Sequence, residues 1–194
     1  MKRAALLIDG GHLRVQVRRA GIEYDPDFVE RFSRECVGGD EELIRVLYYD
    51  CAPYSGTVRL PVSGEAKVFD GNDGWLKTLA SRELFAVRRG VLKFRGFKLS
   101  APPATGQMLT DEDFRPDFEQ KGVDMRIGLD MATFAASRTV DRIILVTGDT
   151  DCVPAMKHVR IAGLQVVLIE LPRHRAAPEL TWYADLRRAA RWPQ

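Results

Sequence analysis

The chain holds only three cysteines, Cys36, Cys51 and Cys152, and none stands in a C-x-x-C pair. That spacing indicates neither a disulfide framework nor a cysteine-rich zinc module. The three histidines, His12, His158 and His174, are equally scattered and offer no paired metal-ligand spacing. No apolar run approaches the roughly 18 residues that a membrane helix needs. Met1-Lys2-Arg3 leads into a short strand-like run rather than the apolar stretch of a signal peptide, so the expected location is cytoplasmic. A surplus of charge is also missing. The formal net charge is only +2, and any affinity for nucleic acid has to come from local clusters of Lys and Arg. Internal repeats are absent too, and 45% hydrophobic content over 194 residues suits one α/β domain with a single core.

What is present centres on Arg142 to Met156. The unalternating run Ile143–Val146 breaks into Thr147-Gly148-Asp149-Thr150-Asp151, and a helical pattern, Met156 to Ile161, follows. An apolar run without alternation is what a central parallel strand needs, because helices cover both faces of such a sheet. In open α/β sheets the ligand crevice lies at the carboxyl ends of the strands. There this sequence places two carboxylates, Asp149 and Asp151, and two hydroxyls, Thr147 and Thr150. A helix cap accounts for one such acid but not for two on one short turn.

The same grammar opens the chain. Ala4–Ile8 reads as a strand, Asp9-Gly10-Gly11-His12-Leu13 as a turn, and a helix is predicted from about Val15. Two parallel strands that each end in aspartate bring Asp9 near Asp149 if they are neighbours. His12 either contacts substrate or completes the turn. Asp25 before Pro26 predicts the start of a second helix with Phe28, Phe32 and Cys36 on its buried face. Leu43–Tyr49 reads as a strand with Asp50 at its end, more in keeping with a turn beside Pro53 than with the acidic cluster.

Pro53, Gly56, Pro61 and Gly64 mark Ala52–Glu65 as a loop, Leu76–Leu84 reads as a helix, and Phe85–Leu99 as two alternating strand segments. The latter carry Arg88, Arg89, Lys93, Arg95 and Lys98 with no acid among them. Such a ribbon suits phosphate contacts, and equally suits a solvated edge whose charges discourage aggregation. Ala101–Pro116 reads as an exposed loop. Ile127, Met131 and Phe134 then trace a helix whose first turn or cap holds Asp124. Asp130 follows six residues later, about 600° of rotation, which leaves it roughly 120° off the face of Asp124. Val166–Leu171 is a last strand, Pro172-Arg173-His174-Arg175 a basic loop, and Glu179–Arg191 an amphipathic helix.

Three motifs, Ile8-Asp9-Gly10-Gly11-His12, Lys121-Gly122-Val123-Asp124 with Leu129-Asp130-Met131, and Val146-Thr147-Gly148-Asp149-Thr150-Asp151, occur in the order in which they resemble the NYN domain of the PIN-like nuclease superfamily. Length and layout are similar to the bacterial stand-alone LabA-like proteins. The resemblance implies a Rossmann-like, PIN-like three-layer sandwich with a mainly parallel sheet. In this sequence it runs over 1–194 as one domain, with a loop and β-ribbon excursion around 52–120 and a C-terminal helix 178–192. It implies a metal-dependent ribonuclease acting on RNA with Mg²⁺ or Mn²⁺ and no organic cofactor or membrane, and leaves a homo-oligomer open.

By motif, the implied catalytic residues are Asp9, Asp124, Asp149 and Asp151. The first three would hold the metal, with Asp130, Thr147 and Thr150 behind them and His12 joining Arg88, Arg89, Lys93, Arg95 and Lys98 at the nucleic acid. Many NYN domains have asparagine where this chain has His12. The chemistry of the residues agrees with the resemblance, because carboxylates clustered at strand ends repel one another unless an oxygen-loving cation neutralises them. A dehalogenase-type phosphatase would need a second Asp where Gly11 stands. An RNA-binding regulatory protein without cleavage is the remaining alternative.

Overall fold

The computed structural model describes residues 1–193. The first half of the chain forms β1 (Lys2–Asp9), α1 (Gly10–Arg19), α2 (Pro26–Glu35), β2 (Glu41–Cys51), β3 (Gly56–Arg59), β4 (Ala66–Phe69), α3 (Gly74–Ala80) and β5 (Phe85–Leu99). The second half adds β6 (Phe114–Lys121), α4 (Val123–Ser137), β7 (Arg142–Val146), α5 (Val153–Ile161), β8 (Gln165–Glu170), α6 (Pro178–Trp182) and β9 (Leu186–Ala189). The central sheet has the order β6-β5-β2-β1-β7-β8-β9, parallel except for β6, and β3 pairs with β4 as a separate antiparallel hairpin.

The apolar strands divide their side chains between two cores. Leu6, Ile8, Val46, Tyr48, Ile144 and Val146 pack with Leu13, Val17, Phe28, Phe32 and Leu79 from α1, α2 and α3. Ala5, Leu7, Leu47, Tyr49, Ile143 and Leu145 face the other way, onto Ile127, Met131, Met156 and Val159 from α4 and α5. The molecule is the three-layer, mainly parallel α/β sandwich expected of the sequence. The chain steps from β1 outward to β2 on one side and returns to β7 on the other, so a topological switch point lies between the carboxyl ends of β1 and β7.

Local rules place several of the helices. Asp25 caps α2 by accepting the Phe28 N–H at 2.6 Å, with Pro26 at the first helical position. Helix α1 begins at Gly10, directly after β1, and not near Val15 after a glycine turn. Gly10 is needed for space: a Cβ there would collide with the Tyr48 ring.

Four further expectations are corrected. The presumed loop Ala52–Glu65 contains β3, the helix expected over Leu76–Leu84 is Gly74–Ala80, and strand β6 starts at Phe114 within the presumed loop Ala101–Pro116. The two segments of Phe85–Leu99 are one long strand, whose first half pairs with β2 and whose second half runs on past β2 to pair with the edge strand β6. Tyr54, Phe69, Phe94, Phe97 and Phe118 meet at ring-centroid distances of 5.3 to 6.3 Å and give this excursion a small aromatic core.

The largest correction is at the end of the chain, where the helix expected over 178–192 is a five-residue helix, α6, followed by strand β9. Tertiary pairing overrides helical periodicity here. The edge of β8 offers hydrogen bonds to β9, Asp185 accepts the Val166 N–H at 2.8 Å, and Arg188 is drawn onto the buried Glu41.

Candidate active site

An open cleft of about 630 Å³ lies at the switch point, lined among others by Asp9, Gly11, His12, Arg14, Gln120, Asp124, Gly148, Asp149 and Thr150. Asp9 ends β1 and caps α1, its Oδ1 accepting the His12 N–H at 3.0 Å. Asp149 follows β7 and accepts the Asp151 N–H at 2.8 Å. The buried Thr147 hydroxyl links them: it accepts the Asp149 N–H at 3.1 Å and lies 3.5 Å from Asp9 Oδ2 as a donor. Asp124 is the second residue of α4, which starts after Gly122 at positive φ. The register of β1 against β7, with Ile8 opposite Val146, is what sets Asp9 beside the turn that carries Asp149.

The electrostatics follow from this crowding. Burial pushes the Asp9 carboxyl up to about 6, against the His12 N–H that lowers it, and the charges of Asp124, Asp50 and Asp149 add to the rise. Asp124 is also raised, by burial first and then by Asp149 and Asp151. Burial lowers His12 to about 4, helped by His174 and Arg19, so its imidazole is neutral at pH 7. The His12 ring lies over Gly148, where a Cβ would strike it at 2.5 Å, and meets His174 edge-on at 5.0 Å.

Not every expected residue joins the cleft. Asp151 is exposed and touches Asp149 only through its own N–H. Thr150 lines the cleft but is exposed. Asp130 is apart from the cluster: it accepts from the Tyr49 hydroxyl at 2.8 Å and from Arg88 at 3.0 Å, because its turn of α4 faces β2 and β5. The basic ribbon is not bare. Arg88 pairs with Asp130, Arg89 with Asp73, Arg95 with Glu119 and Lys98 with Asp117. Those acids come from other elements, out of sight of the strand's own sequence.

Sequence reasoning missed the floor of the site. Asp50 is no turn residue: it lies buried in β2, held by Arg14 at 2.6 and 3.1 Å, by the Tyr48 hydroxyl at 3.1 Å and by the Cys51 N–H at 2.8 Å. Tyr48 shares a 2.8 Å hydrogen bond with Tyr24, and Gln120 reaches Asp50 at 3.5 Å. The available signal was topological, since a strand beside β1 that ends in aspartate lies one position from the register of Asp9.

A raised carboxyl binds its proton more tightly in the folded than in the unfolded protein. The contribution of Asp9 to stability is therefore full below about 3.8 and lost as pH rises through about 6. His12, lowered to about 4, runs the opposite way over part of that interval, so a difference between variants is the clean readout. Asp9→Asn keeps a capping oxygen and is expected to stabilise the metal-free protein at pH 7 by on the order of 2 kcal/mol, with no gain at pH 3.5. Urea unfolding of both proteins at the two pH values checks it, and a gain independent of pH contradicts the burial of a charged Asp9.

The NYN domain model matches residues 3–188. Among solved structures, the chain is similar to a protein of unknown function from Vibrio parahaemolyticus, with 20% identity over 97% of this chain and 92% of that one and a TM-score of 0.57. At that identity the likeness bears on the fold alone. No curated protein matches the sequence. Among the described residues, no helix is long and apolar enough to cross a membrane.

Proposed function

Because the chain belongs to the NYN domain family, within the PIN-like superfamily, we propose that it is a divalent-metal-dependent ribonuclease. The observation that carries this reading is the meeting of Asp9, Asp124 and Asp149 in one open cleft at the switch point. The donor set fits Mg²⁺ or Mn²⁺: hard carboxylate oxygens whose mutual repulsion and burial a cation relieves. As placed, no three His, Cys, Asp or Glu side chains among the described residues converge tightly enough to ligate an ion, so the fit rests on charge and donor chemistry.

Asp9, Asp124 and Asp149 would hold the cation, which when bound supplies positive charge against a phosphodiester oxygen and acidifies a water. The chain's own contributions are separable. Thr147 keeps Asp9 and Asp149 in fixed relation through its hydroxyl. Asp151, exposed next to Asp149 and outside the cleft's lining, would orient the attacking water. Neutral His12 offers an uncharged edge to the RNA, and the Arg14–Asp50 pair holds α1 against β2 beneath the cleft.

The rival reading is an RNA-binding regulatory protein that does not cleave. Pure protein with end-labelled single-stranded RNA, structured RNA and DNA, in Mg²⁺, Mn²⁺ or EDTA, separates the two. Cleavage of RNA that EDTA abolishes supports the nuclease. Retention of intact RNA under every metal condition supports the rival.

A further inference from the structure

Three depressions at the carboxyl end of the sheet run into one another. The aspartate cleft shares Gln16 and Arg19 with a second cleft of about 370 Å³, and that one shares Arg173 and His174 with a third of about 570 Å³. They form a groove that leaves Asp9, passes along α1 and the basic loop after β8, and ends between α6 and β9. His12 and His174, one ring edge-on to the other, stand at its first junction.

The charge on this groove differs from that on the β5 ribbon. Arg19, Arg173 and Arg175 are exposed and form no ion pair among the described residues. Arg187 has a 3.5 Å contact with Glu170, both partly exposed, and Glu170 is the acid on the lining of the third cleft. Four of the ribbon's five cations, by contrast, face acids of neighbouring elements. Unneutralised positive charge therefore gathers on the α1 side of the cleft. At the far end Trp182 is 67% exposed, whereas the half-buried Trp75 stacks on Tyr24, and Trp192, half-buried on the lining of the second cleft, packs at a tilt against Phe28 and Phe32. A solvent-facing indole beside free guanidinium groups is the pairing that binds single strands: cations follow the backbone, and a flat ring stacks an unpaired base. A duplex keeps its base faces hidden and cannot use the ring.

We propose that this groove is a track for single-stranded nucleic acid, with phosphates on Arg19, Arg173 and Arg175 and a base on Trp182, leading the strand to the aspartate cleft. Its direction into the cleft rests on the nuclease reading; its binding does not. The basic ribbon of β5 then borders the cleft without being the main phosphate contact.

The test is equilibrium binding of a fluorescein-labelled oligouridylate and a matched RNA duplex, in EDTA, across a series of salt concentrations. Replacing Arg19, Arg173 and Arg175 by Gln should make the slope of log affinity on log salt shallower by about 2, from roughly 0.7 per lost contact. Lys93→Gln with Arg95→Gln should leave it unchanged. Trp182→Leu should weaken single-strand binding about tenfold and remove the quenching of tryptophan emission, with no effect on the duplex. Circular dichroism checks that each variant is folded, and the quenching signal gives a readout independent of the arginine variant.

Unchanged slope and affinity in both groove variants overturns the proposal, as does a loss confined to the ribbon variant. Binding of anionic phospholipid vesicles in place of RNA overturns it in favour of a membrane surface. If wild type cleaves RNA while the groove variants bind normally, the groove falls and the nuclease stands. If the groove variants lose binding in a protein that never cleaves, the groove stands and the nuclease falls.

Discussion

Asp124→Ala is expected to lower single-turnover RNA cleavage by at least about a thousandfold, and Asp130→Ala to leave it within about tenfold of wild type. The two acids share one helix but not one environment. Asp124 lines the cleft in the first turn of α4, and its carboxyl is raised by burial and by Asp149. Removing a carboxylate that holds a catalytic cation withdraws several kcal/mol of stabilisation, and about 4 kcal/mol corresponds to a thousandfold. Asp130 touches Tyr49 and Arg88 and none of the clustered acids. Partners that orient a ligand directly cost about 10–100-fold when lost, and Asp130 stands outside even that relation. Its loss should appear in stability instead, by about 1–3 kcal/mol, because the buried Tyr49 hydroxyl is left without its acceptor. Rates of both variants at saturating Mn²⁺, together with their unfolding curves, check the assignment. A dead Asp130→Ala beside an active Asp124→Ala would make Asp124 a helix-terminal charge and nothing more.

The second large effect is expected far from the cleft, where Glu41→Gln should cost about 3–5 kcal/mol of folding stability. The Glu41 carboxylate is fully buried at the start of β2 and takes Arg142 at 2.9 Å and Arg188 at 2.8 Å. Burial alone would raise its carboxyl, but Arg188, the Gly38 N–H and Arg142 hold it down at about 2. Losing the Glu41 charge leaves the half-buried Arg188 without a carboxylate partner and the buried Arg142 with only the exposed Asp40. Since the folded carboxyl lies below its ordinary value of 4.5, the stabilisation is present above that pH and lost as pH falls toward 2. Denaturant midpoints for both proteins at pH 7 and pH 3 check it, with the difference shrinking at the lower pH. An equal difference at both would mean that the charge of Glu41 is not what holds β9 to the sheet.

What was legible in the sequence was what local chemistry settles. Short β-branched runs such as Ile143–Val146, broken by Thr147-Gly148, suit a strand buried on both faces, and Asp25-Pro26 announces a helix because cap and ring act on adjacent residues. The strand-end aspartates could be found in the same way, since β1 and β7 each break at an acid. What was hidden depends on distant partners. Leu186–Ala189 has a helical stripe and becomes a strand because β8 and Glu41 claim it. The bare ribbon was read from one strand alone, and its neutralising acids arrive from β6, α4 and the approach to α3. Asp50 looked like a turn residue because Arg14, thirty-six positions earlier, gives no local sign of its pairing.

If the clustered aspartates bind the divalent cation used in cleavage, calorimetric titration of Mn²⁺ into wild type and Asp149→Asn, both shown to be folded, will separate the two proteins. A neutral amide is a poorer ligand for a hard cation, so the variant should bind at least about tenfold more weakly. Unchanged Mn²⁺ affinity in a folded Asp149→Asn, or no Mn²⁺ binding by wild type at all, would contradict a metal-dependent site at these aspartates.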